Sequence, residues 1–135
     1  MRKLVLDASI GLKWFFQEKN SNLAGIFLKQ IKKDEIKVFV PQIFFFELAN
    51  AVKTKAKSTP EDVLGVINKI FSLKLNSEKI NRKLLTKANF YAQKYDLTIY
   101  DASYLALARI LRINLITVDE KLKGKTKLKL IKILR

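Results

Sequence analysis

The chain of 135 residues has no cysteine and no histidine. The first absence removes disulfide frameworks, thiolate nucleophiles and sulfur-ligated metal sites. The second removes the usual general base, the Ser-His-Asp arrangement and every zinc site that needs imidazole. Glycine and proline are scarce, at four and two residues, and 49% of the chain is hydrophobic. That composition belongs to a regular, element-rich globular chain long enough to bury a core, not to a disordered or fibrous one. Nor does any apolar run reach the roughly 18 residues needed to span a bilayer. Met1-Arg2-Lys3 leads straight into a strand-like segment without a leader-like stretch. The expectation is one domain over residues 1–135, cytoplasmic and without a membrane partner.

Acidic residues are also few. Twelve acids face 27 lysines and arginines, for a formal charge of +15. Heat selection enriches lysine, but it normally raises glutamate in parallel. The one-sided excess points instead to a polyanionic partner, either nucleic acid or an anionic surface. Chemistry in this chain must then rest on carboxylates, lysines, hydroxyls or a hard metal.

Leu4 to Leu6 is too short for a helix and fits a buried parallel strand. A helix follows over Ala8 to Phe16, and Asn20 or Ser21 caps a second reaching about Lys33. Val38 to Val40 reads as a strand stopped by Pro41. The next helix runs from Gln42 to about Lys57. Thr59-Pro60-Glu61-Asp62 marks another helix start, running to about Phe71. Leu73 to Leu75 is a candidate third strand. Ser77 caps a helix from Glu78 to about Tyr95, with Ile80, Leu84, Leu85, Ala88 and Tyr91 inward. Ala102 to Leu111 is apolar almost all round and reads as a buried helix. Leu115 to Val118 is a strand, and Lys127 to Leu134 alternates Lys with Leu or Ile like a half-buried edge strand. Strands alternating with helices give an α/β fold with a largely parallel sheet.

Eight of the acids (Glu18, Asp34, Glu35, Glu61, Asp62, Glu78, Asp96 and Glu120) fall in turns, helix starts or polar runs. Four do not. Asp7 ends the first strand, Glu47 interrupts an aromatic and aliphatic run, Asp101 opens the apolar helix, and Asp119 ends the strand Leu115 to Val118. In an open parallel sheet, the carboxyl ends of strands face the crevice where ligands bind. Each acid taken alone has a plainer account. Asp7, Asp101 and Asp119 suit helix caps. Glu47 could pair with Lys13 or Lys53. Together in one crevice, however, four carboxylates repel one another unless a counter-ion joins them. A hard divalent cation, Mg²⁺ or Mn²⁺, takes oxygen ligands and bridges to phosphate oxygens. The arrangement predicts metal-assisted phosphodiester hydrolysis. Asn50, on the helical face of Glu47, is a neutral partner, and Ser9 and Thr117 are supporting hydroxyls.

Four segments, Val5 to Ser9, Phe46 to Asn50, Tyr100 to Ala108 and Thr117 to Leu122, resemble the PIN-domain nucleases. Among these they are most similar to the VapC-type toxins of toxin–antitoxin pairs. The resemblance spans the chain in the right order. It implies a three-layer α/β/α architecture with a mostly parallel sheet and a Mg²⁺- or Mn²⁺-dependent endoribonuclease acting on RNA. It implies too a homodimer inhibited by a VapB-type antitoxin. By matched position Asp7, Glu47, Asp101 and Asp119 are the acidic quartet, with Asn50, Ser9 and Thr117 in supporting places. Two other classes fit less well. A receiver-like domain wants an adjacent acidic pair near the first strand, where Asp7 stands alone. A haloacid-dehalogenase-type phosphatase wants Asp-x-Asp, and position 9 is serine. A catalytically inactive RNA-binding or assembly module of the same fold remains as the alternative. Trp14, Phe15 and Phe16 could stack on bases, but their spacing suits core or interface better.

Overall fold

The computed structural model describes residues 1–55 and 57–135. Among these the chain alternates short strands with helices: β1 (Arg2–Leu6), α1 (Ala8–Leu12), α2 (Ser21–Lys32), β2 (Ile36–Pro41), α3 (Ile43–Thr54), α4 (Pro60–Ser72), β3 (Asn76–Glu78), α5 (Arg82–Tyr95), α6 (Ile99–Leu111), β4 (Asn114–Thr117), α7 (Glu120–Thr126) and β5 (Ile131–Ile133). The strands form one all-parallel sheet in the order β3-β2-β1-β4-β5. Parallel neighbours need crossover connections, and right-handed crossovers put helices on both faces of such a sheet. Two helical layers therefore enclose the strands, as an α/β/α architecture requires. β1 is buried over Leu4, Val5 and Leu6, as a central strand covered on both faces must be. Helix α6 packs on β1, β2 and β4 and carries α5 on its outer side. Its residues from Ala102 to Ala108 are all buried.

The chain runs from β1 outward to β2 and β3, then returns to place β4 on the other side of β1. The strand order therefore reverses between β1 and β4, where Leu6 is in register with Ile116. Beyond the carboxyl ends of two such strands the connections diverge and leave a crevice. This reversal positions the site.

Several elements differ from the sequence reading. Helix α1 stops at Leu12 instead of Phe16, and the chain turns so that Trp14, Phe15 and Phe16 pack against the core. The Trp14 indole donates to the Ala24 carbonyl at 2.9 Å. The α2 cap falls at Asn20, whose left-handed backbone carries no side-chain capping bond. Ser21 instead accepts from the Glu18 amide and donates to the Phe16 carbonyl, bracing the preceding turn. α3 ends at Thr54, short of the expected end near Lys57: the Lys55 backbone is already extended and Lys57 is left-handed, while residue 56 lies outside the described residues. The third strand is Asn76–Glu78, not Leu73 to Leu75. Leu73 is buried against the core, while pairing with β2 begins at Phe39 opposite Asn76. Glu78 is consequently a strand residue, and α5 begins at Arg82 with Asn81, not Ser77, as its cap. Ile80 and Leu85, expected inward, are exposed. The tail pairs only over Ile131–Ile133, at the sheet edge as its alternation suggested. The Thr59 start has the expected form: Thr59 and Asp62 cap each other reciprocally with Pro60 at the first helical position.

Candidate functional site

The crevice beyond β1 and β4 is lined by Asp7, Ser9, Glu47, Asn50, Asp101 and Asp119, in a cleft of about 390 Å³. Four different stretches of chain thus deliver the four acids singled out by their apolar settings. Asp7 follows β1 and Asp119 follows β4, on either side of the strand-order reversal. Glu47 comes from the middle of α3, and Asp101 from the first turn of α6. Asn50 and Ser9 lie in the same cleft. Thr117 is fully buried beneath it.

The hydrogen bonds show which of three acids cap the helices they precede or open. Asp7 occupies the cap position of α1 but makes no side-chain capping bond. Its Oδ2 accepts from Ser9 Oγ at 2.8 Å and from Thr117 Oγ1 at 2.7 Å. Thr117 Oγ1 also accepts from the Asp119 amide at 3.0 Å, and Ser9 Oγ from the Val118 amide at 3.3 Å. The two hydroxyls therefore lock the ends of β1 and β4 together around one carboxylate. Asp101 does not cap α6 either, because Thr98 does so by accepting from the Asp101 amide at 3.0 Å. Asp119, by contrast, caps α7, its Oδ1 accepting from the Leu122 amide at 3.1 Å. For Asp119 the capping account holds while the residue also walls the cleft.

Glu47 was expected to need Lys13 or Lys53 as a counter-charge. Neither supplies one. Lys13 pairs with Glu18 at 3.4 Å, and among the described residues no ion pair reaches Glu47. Its partner is Tyr104, whose hydroxyl donates to Glu47 Oε1 at 2.6 Å. Tyr104 is almost completely buried in α6, so its phenol needs an acceptor, and Glu47 of α3 supplies it. The sequence reading passed over Tyr104. A signal was present: a tyrosine in an otherwise apolar helix must send its hydroxyl somewhere.

Burial and mutual repulsion set the electrostatics of the cleft. Burial pushes the Asp7 carboxyl above its ordinary range, against the lowering effect of Thr117 and Ser9, and the Asp101 charge pushes it further. Glu47 is raised by burial, against the Tyr104 hydrogen bond, with Asp7 and Asp101 adding to it. Asp101 is raised by burial and by Asp119, offset in part by Thr98 and Lys125. Burial and the Glu47 charge drive the Tyr104 phenol far above its usual value, so it remains a hydrogen donor. Groups perturbed by desolvation and by one another in a cleft are characteristic of functional sites. Among the described residues no three acids converge as a ready-made cage for an ion. Mg²⁺ does not require one, since it keeps several waters and takes one or two carboxylates. The all-oxygen donor set fits a hard divalent cation.

An α/β/α sandwich with acids gathered at the strand-order reversal defines a class of protein, and comparison narrows it. The PIN domain family model matches residues 4–128, and the chain belongs to that family. Solved structures share the fold at low identity. One is a toxin–antitoxin complex from Klebsiella pneumoniae, with TM-score 0.71, 17% identity and coverage of 96% of this chain and 95% of that one. A second is a VapBC complex from Rickettsia felis bound to a DNA fragment from its promoter, with TM-score 0.73, 15% identity and coverage of 98% and 99%. A third is a Mycobacterium tuberculosis VapC toxin described as cleaving the sarcin–ricin loop, with TM-score 0.67, 13% identity and coverage of 83% and 86%. No curated protein matches the chain in sequence.

Proposed function

We propose that this protein is a Mg²⁺- or Mn²⁺-dependent endoribonuclease and the toxin of a type II toxin–antitoxin pair. The observation that carries the catalytic reading is the meeting of Asp7, Glu47, Asp101 and Asp119 in one cleft without a basic side chain among its lining residues. Three of these acids are pushed toward protonation by burial and by each other. Such a cluster calls for a divalent cation, which neutralises charge on a phosphodiester and lowers the pKa of water when bound.

The chain's own residues then have distinct tasks. Asp7, Glu47 and Asp101 would hold the cation, one or two of them directly and the rest through its waters, and Asp119 would support from the cleft wall. Ser9 and Thr117 orient Asp7 by filling Oδ2, and Tyr104 orients Glu47 by filling Oε1. Partners of this kind fix the direction of a metal ligand. Asn50 offers a neutral amide beside the reacting phosphate. The surplus of 27 basic over 12 acidic residues suits an RNA backbone.

The partners proposed are a VapB-type antitoxin and a second copy of the chain, in keeping with the VapBC complexes whose fold this protein shares. Cleavage of a structured RNA with Mg²⁺ or Mn²⁺ tests the activity, with EDTA and Asp7→Asn as controls. Cleavage should vanish in both controls. Undiminished cleavage by Asp7→Asn rejects the carboxylate mechanism, and metal-insensitive RNA binding without cleavage supports an inactive RNA-binding module instead.

A further inference from the structure

The carboxylate cleft does not end at Asp119. On its far side the same residue walls a second cleft, of about 770 Å³, lined by Lys13, Lys19, Lys121 and Arg135 together with Asn20 and Glu120. The end of α1, the turn before α2, the start of α7 and the tail after β5 build it. Asn20 Nδ2 donates to the Leu134 carbonyl at 3.5 Å and ties the tail to the turn. The contrast across Asp119 is sharp. The first cleft is lined by four acids and no base, and the second by four bases against Asp119 and Glu120.

The four bases are not equivalent. Arg135 pairs with Glu120 at 3.6 Å, and Lys13, with a side chain only 7% exposed, pairs with Glu18 at 3.4 Å. Lys19 and Lys121 are exposed and make no ion pair among the described residues. Unpaired cations lining a concavity hold fixed positive potential, and clefts focus such fields. A polyanion laid across Asp119 would meet the acids on one side and these lysines on the other. Phosphate contacts of this sort position a strand without reading its sequence.

We propose that the basic cleft beside Asp119 is a phosphate subsite that holds the RNA backbone next to the bond being cut, with Lys19 and Lys121 as its direct contacts. The proposal rests on the nuclease reading for its substrate. It makes Asp119 the divide between a region that needs a cation and a region that supplies positive charge itself.

The test uses the full chain carrying Asp101→Asn, so that RNA is bound but not cut. Binding of a fluorescent single-stranded RNA is measured in EDTA over a salt series. Lys19→Gln with Lys121→Gln is compared with Lys3→Gln and Lys37→Gln, a pair in register at the opposite end of the sheet with the same charge change. The cleft pair should weaken binding about tenfold or more at low salt. It should also reduce the slope of log affinity against log salt by about 1.4, for two phosphates of a single strand. The distal pair should change affinity less than about threefold, through general charge alone. With Asp101 restored and Mg²⁺ present, the cleft pair should raise KM and leave kcat nearly unchanged. Equal effects of the two pairs, or no measurable RNA binding, overturn the subsite. Selective loss of binding in a chain that never cleaves RNA keeps the subsite and overturns the nuclease reading.

Discussion

Helix α3 has two sides that solve opposite problems. Glu47, Asn50 and Ala51 line the carboxylate cleft, whereas Ile43, Phe46 and Ala49 line an apolar groove shared with α4. On the first side a charged group sits in an apolar setting, and every buried side-chain nitrogen or oxygen among the described residues has a partner. In the groove on the second side apolar side chains stand in water: Phe46 is 78% exposed, and Phe71 and Ile80, which complete the groove, are 68% and 60% exposed. Water can hydrate a carboxylate at little cost and gains nothing from a phenyl ring. Each side is therefore the reverse of what folding alone would choose, but only the cleft side carries groups whose ionisation is disturbed. The proposed chemistry belongs to the polar anomaly, and the apolar one should be silent in a cleavage assay.

Substitutions one residue apart on α3 make that separation testable. Glu47→Gln should lower RNA cleavage by more than about a hundredfold, beyond what the loss of an outer-shell partner usually costs. Phe46→Ser should leave cleavage within about twofold and the melting temperature nearly unchanged, because the ring buries little. A large loss in folded Phe46→Ser would show that the groove takes part in catalysis.

Tyr104→Phe sharpens the cleft side. The variant keeps the ring in its buried slot and deletes only the hydroxyl on Glu47 Oε1. Activity at limiting metal should fall about 10–100-fold. The Mg²⁺ concentration for half-maximal rate should rise, with the RNA KM unmoved. A change in RNA KM alone would assign Tyr104 to packing.

How much of this was readable beforehand follows from what each feature depends on. The four acids stood out because apolar neighbours in sequence are also apolar neighbours in space within a strand or helix. The element order and the parallel sheet followed from the alternation of periods. β3 was misplaced by three residues since an edge strand is defined by backbone pairing, and Leu73 to Leu75 are apolar for packing. The partner of Glu47 was misjudged for a related reason. Lys53 is on the same helix as Glu47 and Lys13 was a candidate for its charge alone, but Tyr104 reaches Glu47 across 57 positions. The basic cleft is assembled from two helix ends, a turn and the tail, so no local pattern announces it.

The wall between α1 and α3 is a third place to probe. A Cβ on Gly11 would lie 2.9 Å from Phe44 Cζ and 3.1 Å from Leu48 Cδ1, both in fully buried side chains. Gly11→Ala should therefore destabilise the fold by about 1–3 kcal/mol through overpacking. Gly25, in the interior of α2, has no atom within 4 Å of its would-be Cβ. Gly25→Ala should stabilise by about 0.4–1 kcal/mol. Denaturant titration checks both. A neutral Gly11→Ala would mean that α3 moves freely against α1, and that the position of Glu47 is less fixed than its hydrogen bond implies.

The smallest expected effect concerns the cleft's electrostatics in the absence of metal. Asp101 has a raised pKa in the folded state, so the folded chain holds this proton more tightly than the unfolded chain does. As pH rises from the ordinary aspartate range through the raised value, the unfolded state ionises first and stability falls; above it the penalty is constant. Asp101→Asn removes that penalty. The variant should melt slightly higher than the parent at neutral pH in EDTA, a small shift because solvent screens the half-buried Asp101. The difference should shrink as pH is lowered into the ordinary aspartate range. Mg²⁺ should reverse the ranking by stabilising only the parent. A parent that melts higher than Asp101→Asn in EDTA at neutral pH would mean that Thr98 and Lys125 outweigh burial and the Asp119 charge.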